Sequence, residues 1–283
     1  MNATEKARIE QVASAIRVDI LETLGVNRMG HVGGSASCAE IVAALYFYKL
    51  RHDPKNPNWK ARDRFLLSKG HACLTQYSAL ARAGYFSHER LTQFKELGSP
   101  LQGHPERGKV PGVEANTGSL GQGLSVALGM ALGLRLDDLD SRVYVLLGDG
   151  ELAEGQVWEA AMAAAAYKMD NLIAIVDWNG LACTGTVDEI MPLAPLKDKW
   201  EAFGWHVLEI DGHDVQAICD ALDAVDSVTG KPKVILARTV KGKGFRFAEN
   251  QVSWHNAGFS TEQYEIARRD LEAEERGHSR CRA

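Results

Sequence analysis

Two short apolar runs rich in β-branched residues, 143–147 and 173–176, each stop at a polar turn. The first ends in Gly148-Asp149-Gly150 and the second in Asp177-Trp178-Asn179-Gly180. Between them, residues 154–168 are Ala-rich and carry no Gly or Pro after Gly155. This pattern predicts strand, helix, strand. Such a βαβ unit has a right-handed crossover and two parallel strands. Both strands then point their carboxyl ends the same way, so Asp149 and Asn179 meet at one edge of a sheet. A hard oxygen on each, with a carbonyl from the next turn, suits Mg²⁺. Mg²⁺ rarely takes an all-protein cage, so a phosphate ligand is expected to complete its shell.

The rest of the chain repeats this alternation. Helical spacing covers residues 4–24, and a Gly-rich break at 27–35 follows. Ser37 is expected to cap a helix running to about Lys49. A strand at 64–68 leads into Lys69-Gly70-His71-Ala72 and a helix to about Ala83, and Ser87 is expected to cap a helix over 88–97. Residues 98–117 form a long Gly/Pro-rich loop, and loops of that length inside a compact domain are usually functional or disordered. A helix follows to about Leu136. Beyond the two central strands, 184–195 reads as irregular. A helix at 196–203, a strand at 205–210, a helix capped by Asp214, a strand at 233–239 and a helix at 261–274 complete the chain. At least five strands alternate with helices, which predicts an α/β fold: a doubly wound, mostly parallel sheet covered on both faces. The odd polar clusters (Lys69/His71, Asp149, Asn179, His213, Lys241) fall just after strands, where open α/β sheets bind ligands.

Composition narrows the class. The chain has 283 residues, 45% hydrophobic and 24% charged, which is ordinary for a globular protein. It is read as one domain, 1–283, with 276–283 a frayed tail. A formal net charge of −5 gives no support for nucleic-acid binding. The five cysteines are scattered with no C-x-x-C pair, as expected of reduced thiols in a cytoplasmic protein. No targeting signal is read in the polar residues 1–11, and no apolar run approaches the length of a membrane span.

Gly148-Asp149-Gly150 followed thirty residues on by Asn179 resembles the signature of thiamine diphosphate enzymes. The string GDGELAEGQVWEA at 148–160 resembles transketolases in particular. The resemblance covers nearly all of this chain. It implies that Asp149, Asn179 and the Leu181 carbonyl hold Mg²⁺, and that Gly148 and Gly150 lie against the diphosphate. It places Lys69 and Lys241 near the same group. Gly118, Ser119 and Leu120 would wall the thiazolium, and Glu154 would sit near cofactor and dimer interface. His31, His71 and His104, each beside a Gly, would line the substrate and diphosphate channel, with His71 also binding cofactor; handling sugar hydroxyls is a task suited to imidazole. His255 in Ser253-Trp254-His255 joins them, while His213 is expected to be structural. Four positions depart from the family pattern: Val32, Cys183, Asn256 and Ala257. They leave room for a specialised sugar, such as a branched or sulfonated one.

The same resemblance covers only the diphosphate-binding half of a full transketolase. The expectation is a split enzyme, with a separate C-terminal subunit supplying the pyrimidine domain and a heterotetramer as the assembly. Its implied reaction transfers a two-carbon ketol unit from a ketose or ketose phosphate donor to an aldose acceptor. The alternatives are a non-catalytic cofactor-binding homologue, a deoxyxylulose-phosphate synthase-like enzyme and a 2-oxoacid dehydrogenase E1-like subunit. A nucleotide-binding Rossmann protein is disfavoured, because no G-x-G-x-x-G follows a first strand.

Overall fold

The computed structural model describes the backbone of residues 1–280 and the side chains of residues 1–274. Its strands are β1 (Arg64–Leu67), β2 (Val143–Gly148), β3 (Leu172–Trp178), β4 (His206–Asp211) and β5 (Lys233–Arg238). The α-helices are α1 (Ala3–Leu24), α2 (Val32–Ala36), α3 (Ala39–Ala44), α4 (Cys73–Ala83), α5 (Gln122–Leu136), α6 (Gly155–Ala166), α7 (Val187–Ile190), α8 (Leu196–Ala202), α9 (Val215–Ala224) and α10 (Thr261–Arg280). All five strands pair in parallel in the order β1-β2-β3-β5-β4.

Successive strand residues face opposite sides of the sheet. Tyr144, Leu146, Ile173, Ile175 and Ile235 enter one core, with Ile16 of α1, Ile41 of α3, Tyr77 of α4 and Leu222 of α9. Val143, Val145, Leu147, Ala174, Val176 and Leu236 enter a second core, with Leu124 of α5, Ala160 and Ala164 of α6, and Trp200 of α8. Both faces are covered, so the central strands are apolar throughout rather than alternating. Each fully buried Val, Leu or Ile contributes about 1.5–3 kcal/mol. The edge strand β4 is only partly buried, and its last four residues, Leu208-Glu209-Ile210-Asp211, alternate accordingly.

The register sets the site. Gly148 lies opposite Asp177, and the Asp149 N–H donates to the Asp177 carbonyl at 3.2 Å. Hence β2 and β3 end level, and the turns after them share one edge.

Several local expectations are modified. Ser37 caps no helix: α2 has already begun at Val32, and the Ser37 hydroxyl donates to Asp177 at 2.6 Å instead. Ser87 likewise makes no cap bond, and only a 3₁₀ stretch, His88–Gln93, follows. The segment read as irregular contains α7, started by a reciprocal Thr186/Glu189 capping box. Asp214 does cap α9, accepting from Gln216 N at 2.9 Å. α10 continues to Arg280; of the stretch expected to fray, residues 281–283 lie outside the described residues.

A buried ion pair joins α1 to α3. The Arg17 guanidinium meets both Glu40 oxygens at 2.7 Å. Burial opposes ionisation of Glu40, but Arg17 and His213 outweigh it and bring the carboxyl down to about 2. Among the described residues, no helix is long and apolar enough to cross a membrane.

Candidate active site

A cavity of about 390 Å³ opens beyond the carboxyl ends of β1, β2, β3 and β5. Its floor is the pair of turns after β2 and β3. Asp149 is 2% exposed, and its Oδ1 accepts from Gly150 N at 2.7 Å. Its Oδ2 accepts from Gly180 N, which ties the two turns together. Asn179 Oδ1 accepts from Leu181 N at 3.1 Å, and its Nδ2 reaches the Asp177 carboxylate at 3.3 Å. Gly148, Asp149, Gly150, Asn179 and Leu181 all line the cavity.

The donors at this floor are all hard oxygens: a carboxylate, an amide oxygen and a backbone carbonyl. Among the described residues Asp149 has no ion-pair partner, and burial, then the charge of Asp177, push its carboxyl up to about 6. Among the same residues no group of three or more His, Cys, Asp or Glu is placed to hold a metal. This donor set fits a hard divalent cation that takes its remaining ligands from a phosphate. It does not fit a closed, nitrogen- and sulfur-rich site of the zinc type.

Two lysines flank the floor. Lys69 is not an exposed strand-end residue: it is 1% exposed, with Nζ donating to Gly34 O at 2.8 Å and to the Asp177 carboxylate. Burial opposes both charges, yet each raises the other's preference for ionisation, so Lys69 goes up and Asp177 down. Asp177 also accepts from the Ser37 and Thr239 hydroxyls. Lys241 Nζ donates to Leu181 O at 2.9 Å and Ala182 O at 2.7 Å, and lies 3.0 Å from His255 Nδ1. Burial, then the charge of Lys69, bring this ammonium down to about 8. Lys241 thus touches the carbonyl expected to bind Mg²⁺, whose second lone pair stays available.

The walls carry four imidazoles from four separate segments. His31 lies 5.2 Å from His71, 5.9 Å from His104 and 5.4 Å from His255, centroid to centroid, with His71 and His255 at 5.0 Å. Burial dominates their titration. With Lys69 it takes His71 to about 2, and with His104 it takes His31 to about 4. With Lys241 it takes His255 to about 4, and with Lys95 it lowers His104. At neutral pH the cluster offers uncharged rings, each with one N–H and one bare nitrogen. Such rings can bond and exchange protons with several hydroxyl groups at once.

The remaining candidates divide. Gly118 and Leu120 line the cavity, but Ser119 and Glu154 do not, and both are exposed. Glu154 stands at the N-cap of α6. Of the departures from the family pattern, only Cys183 lines the cavity. Val32 is fully buried, Asn256 is exposed, and Ala257 pairs by its backbone with Gly30 at 2.9 and 3.0 Å.

Sequence reasoning missed Gly34, Glu151, Ala182, Thr184 and Ile190 as lining residues. A Cβ on Gly34 would lie 3.2 Å from His71 Nε2 and 3.5 Å from Lys69 Nζ, so that glycine keeps both side chains seated. Glu151, 2% exposed, accepts from Gly121 N at 2.9 Å, Gly148 N at 3.0 Å and the Ser68 hydroxyl. It ties the ends of β1 and β2 to the start of α5. A Gly-Gly pair at 33–34, just past His31, and a second carboxylate directly after Gly148-Asp149-Gly150, were the available signals.

Comparison with known proteins follows this geometry. Residues 8–277 match the family model described as "Transketolase, thiamine diphosphate binding domain". The chain is 46% identical over 266 residues to the 6-deoxy-6-sulfo-D-fructose transketolase subunit SqwG of Clostridium sp. (strain MSTE9), covering 94% of this chain and 97% of that one. It is 43% identical to one of the subunits of the apulose-4-phosphate transketolase of Phocaeicola vulgatus, with 90% of each chain covered. A transketolase mutant from Pichia stipitis superposes with a TM-score of 0.87 at 34% identity, covering 94% of this chain and 40% of that one. The Campylobacter jejuni transketolase gives 0.86 at 33%, covering 96% and 43%. The chain therefore spans nearly the whole of the subunits it matches and less than half of these solved transketolases. With the parallel sheet, the paired turns after β2 and β3 and this match along almost its full length, the chain belongs to the transketolase family, as a thiamine diphosphate binding domain.

Proposed function

We propose that this chain is the diphosphate-binding subunit of a two-part transketolase, using thiamine diphosphate and Mg²⁺ to move a two-carbon ketol unit from a ketose or ketose phosphate to an aldose. The observation that carries the reading is the buried Asp149 carboxylate, with no ion-pair partner among the described residues, at the floor of a cavity walled by four histidines. Asp149, Asn179 and the Leu181 carbonyl would hold Mg²⁺. Lys69 and Lys241 would add positive charge beside the diphosphate, and the backbone at Gly148 and Gly150 leaves it room. When bound, thiamine diphosphate supplies the nucleophilic carbon that breaks and remakes the ketol bond. His31, His71, His104 and His255 would hold sugar hydroxyls and move their protons. Gly118 and Leu120 would close one side of the thiazolium.

We assign the pyrimidine-binding domain to a separate C-terminal subunit, with a heterotetramer as the assembly and Ser119 and Glu154 facing the partner. The match along 97% and 90% of relatives whose names contain the word "subunit", SqwG and the apulose-4-phosphate enzyme, supports this. Residues 1–283 would then be one functional domain. The free cysteines Cys38, Cys73, Cys183 and Cys219 suit a reducing, cytoplasmic setting.

The test is calorimetric titration of thiamine diphosphate, with and without Mg²⁺, into the chain reconstituted with its partner, in parallel with ketol-transfer assays. Binding is expected to need Mg²⁺ and to weaken at least about tenfold in Asp149→Asn, the equivalent of about 1.4 kcal/mol. Transfer should require both subunits. Full turnover by this chain alone, or Mg²⁺-independent cofactor binding by the pair, would overturn the proposal.

A further inference from the structure

Lys241 sits on a turn closed in part by local bonds: Lys243 N donates to Val240 O at 3.1 Å and Asn250 N to Lys241 O at 2.9 Å. Gly242 and Gly244 both have positive φ, +80° and +89°, so the stretch 240–244 has weak intrinsic preferences. Distant segments add to these: Gly242 N donates to Gly33 O at 2.9 Å, and side chains far away in sequence reach the turn's two ends. Arg17 Nε, on α1, donates to Lys243 O at 2.8 Å. Val240 N donates to His213 Nε2 at 2.8 Å. His213 Nδ1 lies 3.1 Å from Glu40, and Glu40 is gripped by Arg17. The ring's state follows from this geometry. A backbone N–H can only donate, so Nε2 is bare, and the ring hydrogen sits on Nδ1 and points at Glu40.

We propose that Arg17, Glu40 and His213 are positioning residues: a buried polar relay that fixes both ends of the 240–244 turn and thereby seats Lys241 in the cofactor cavity. The relay touches the backbone on either side of Lys241, at Val240 and at Lys243. Arg17 also donates to Ala36 O at 3.2 Å, linking the same relay to α2, beside Gly34. Two buried charges at this place are a costly way to fill space, since well-packed apolar residues often serve stability as well or better. Apolar residues would leave the Lys243 carbonyl and the Val240 N–H without partners. A Cβ at Gly244 would fall 2.6 Å from Arg17 Cδ, so the turn is shaped to the guanidinium. The purpose given to Lys241 rests on the reading of the cavity as the diphosphate site; the relay's geometry does not.

Two substitutions at one position separate its halves. In His213→Asn the amide can replace Nδ1 toward Glu40 but does not reach Val240. In His213→Gln the amide can replace Nε2 toward Val240 and releases Glu40. The readout is acetylation of lysines in the full chain by acetic anhydride, quantified by peptide mass spectrometry. Lys241, Lys69 and Lys233 are all at most 2% exposed in the wild type, so all three begin protected. Lys241 labelling is expected to rise about fivefold in His213→Asn, the worth of one lost hydrogen bond. It should stay near wild type in His213→Gln, with Lys69 and Lys233 unchanged in both. An unchanged Lys241 in His213→Asn, or a parallel rise of all three lysines, overturns the relay. Should His213→Asn not accumulate, Glu40→Gln gives the same comparison, since its new N–H must oppose either Arg17 or the Nδ1 hydrogen. Thiamine diphosphate affinity of the same variants is read separately. Raised Lys241 labelling with unaltered affinity upholds the relay and refutes the assignment of Lys241 to the diphosphate.

Discussion

Replacing Lys69 by Met tests the buried pair on which the cavity floor is built. Methionine keeps the unbranched stem of the side chain out to Cε and removes the ammonium. Asp177, fully buried, would retain the Ser37 and Thr239 hydroxyls and the Asn179 amide as donors but lose the cation paired with it. Removing one partner of a buried pair costs about 3–5 kcal/mol. Three surviving donors place this case near 3 kcal/mol. The unfolding entropy, about 2.1 cal/mol/K per residue, comes to about 0.6 kcal/mol/K for a chain of this size. The melting temperature should therefore fall by about 5 °C. Asp177→Asn alone leaves Lys69 buried and uncompensated and should lower it similarly. The double variant removes both charges and should recover most of the loss, giving a coupling of at least about 2 kcal/mol. Differential scanning calorimetry of the four proteins at neutral pH measures all of this. A Lys69→Met protein that melts within about 1 °C of wild type, or a double variant as unstable as the two singles summed, would refute the claim that Lys69 is first an internal counter-ion.

Two further outcomes follow from local geometry. A Cβ on Gly70 would fall 2.2 Å from Thr117 O and 2.7 Å from Thr117 Oγ1, so Gly70→Ala should cost about 1–3 kcal/mol and wedge the Lys69–His71 turn away from Gly118. Gly129, within α5, has nothing within 4 Å of the same atom, so Gly129→Ala should instead gain about 0.5–1 kcal/mol in thermal melts of the chain. Glu40 is held at about 2, below its unfolded value of 4.5, so its contribution is complete above pH 4.5 and is lost as pH falls through about 2. Glu40→Gln should accordingly flatten the stability–pH curve between pH 4.5 and 2, as read by chemical denaturation; an unchanged slope would contradict the strength assigned to its pairing.

The parts legible in the sequence are those fixed by neighbours in the chain. Apolar runs buried on both faces announce β2 and β3, and the polar residues that end them announce the edge of the sheet. Caps were less legible where a hydroxyl had a better distant partner: Ser37 faces Asp177, 140 residues on, instead of its own helix. Lys69 could be read as a surface lysine for the same reason, its counter-ion being 108 residues away. Nothing in the spacing of His31, His71, His104 and His255 requires convergence; the family resemblance suggested it, and the packing of four separate segments produces it. Glu151 was overlooked because its three partners lie on different elements. Long-range polar pairing has no period, so pattern reading is blind to it.

The alternation along β2 sends Leu146 into one apolar interior and Leu147 into the other. Nearest neighbours on the backbone are thus strangers in their packing, separated by a wall one peptide thick. Enlarging Leu146 should disturb α1 and α3 and leave α5 and α6 at rest, whereas enlarging Leu147 should do the reverse. Only the rim, where both compartments run out and the turns begin, is answerable to the two at once, so a slip of one residue in this strand would strike each interior and the rim together.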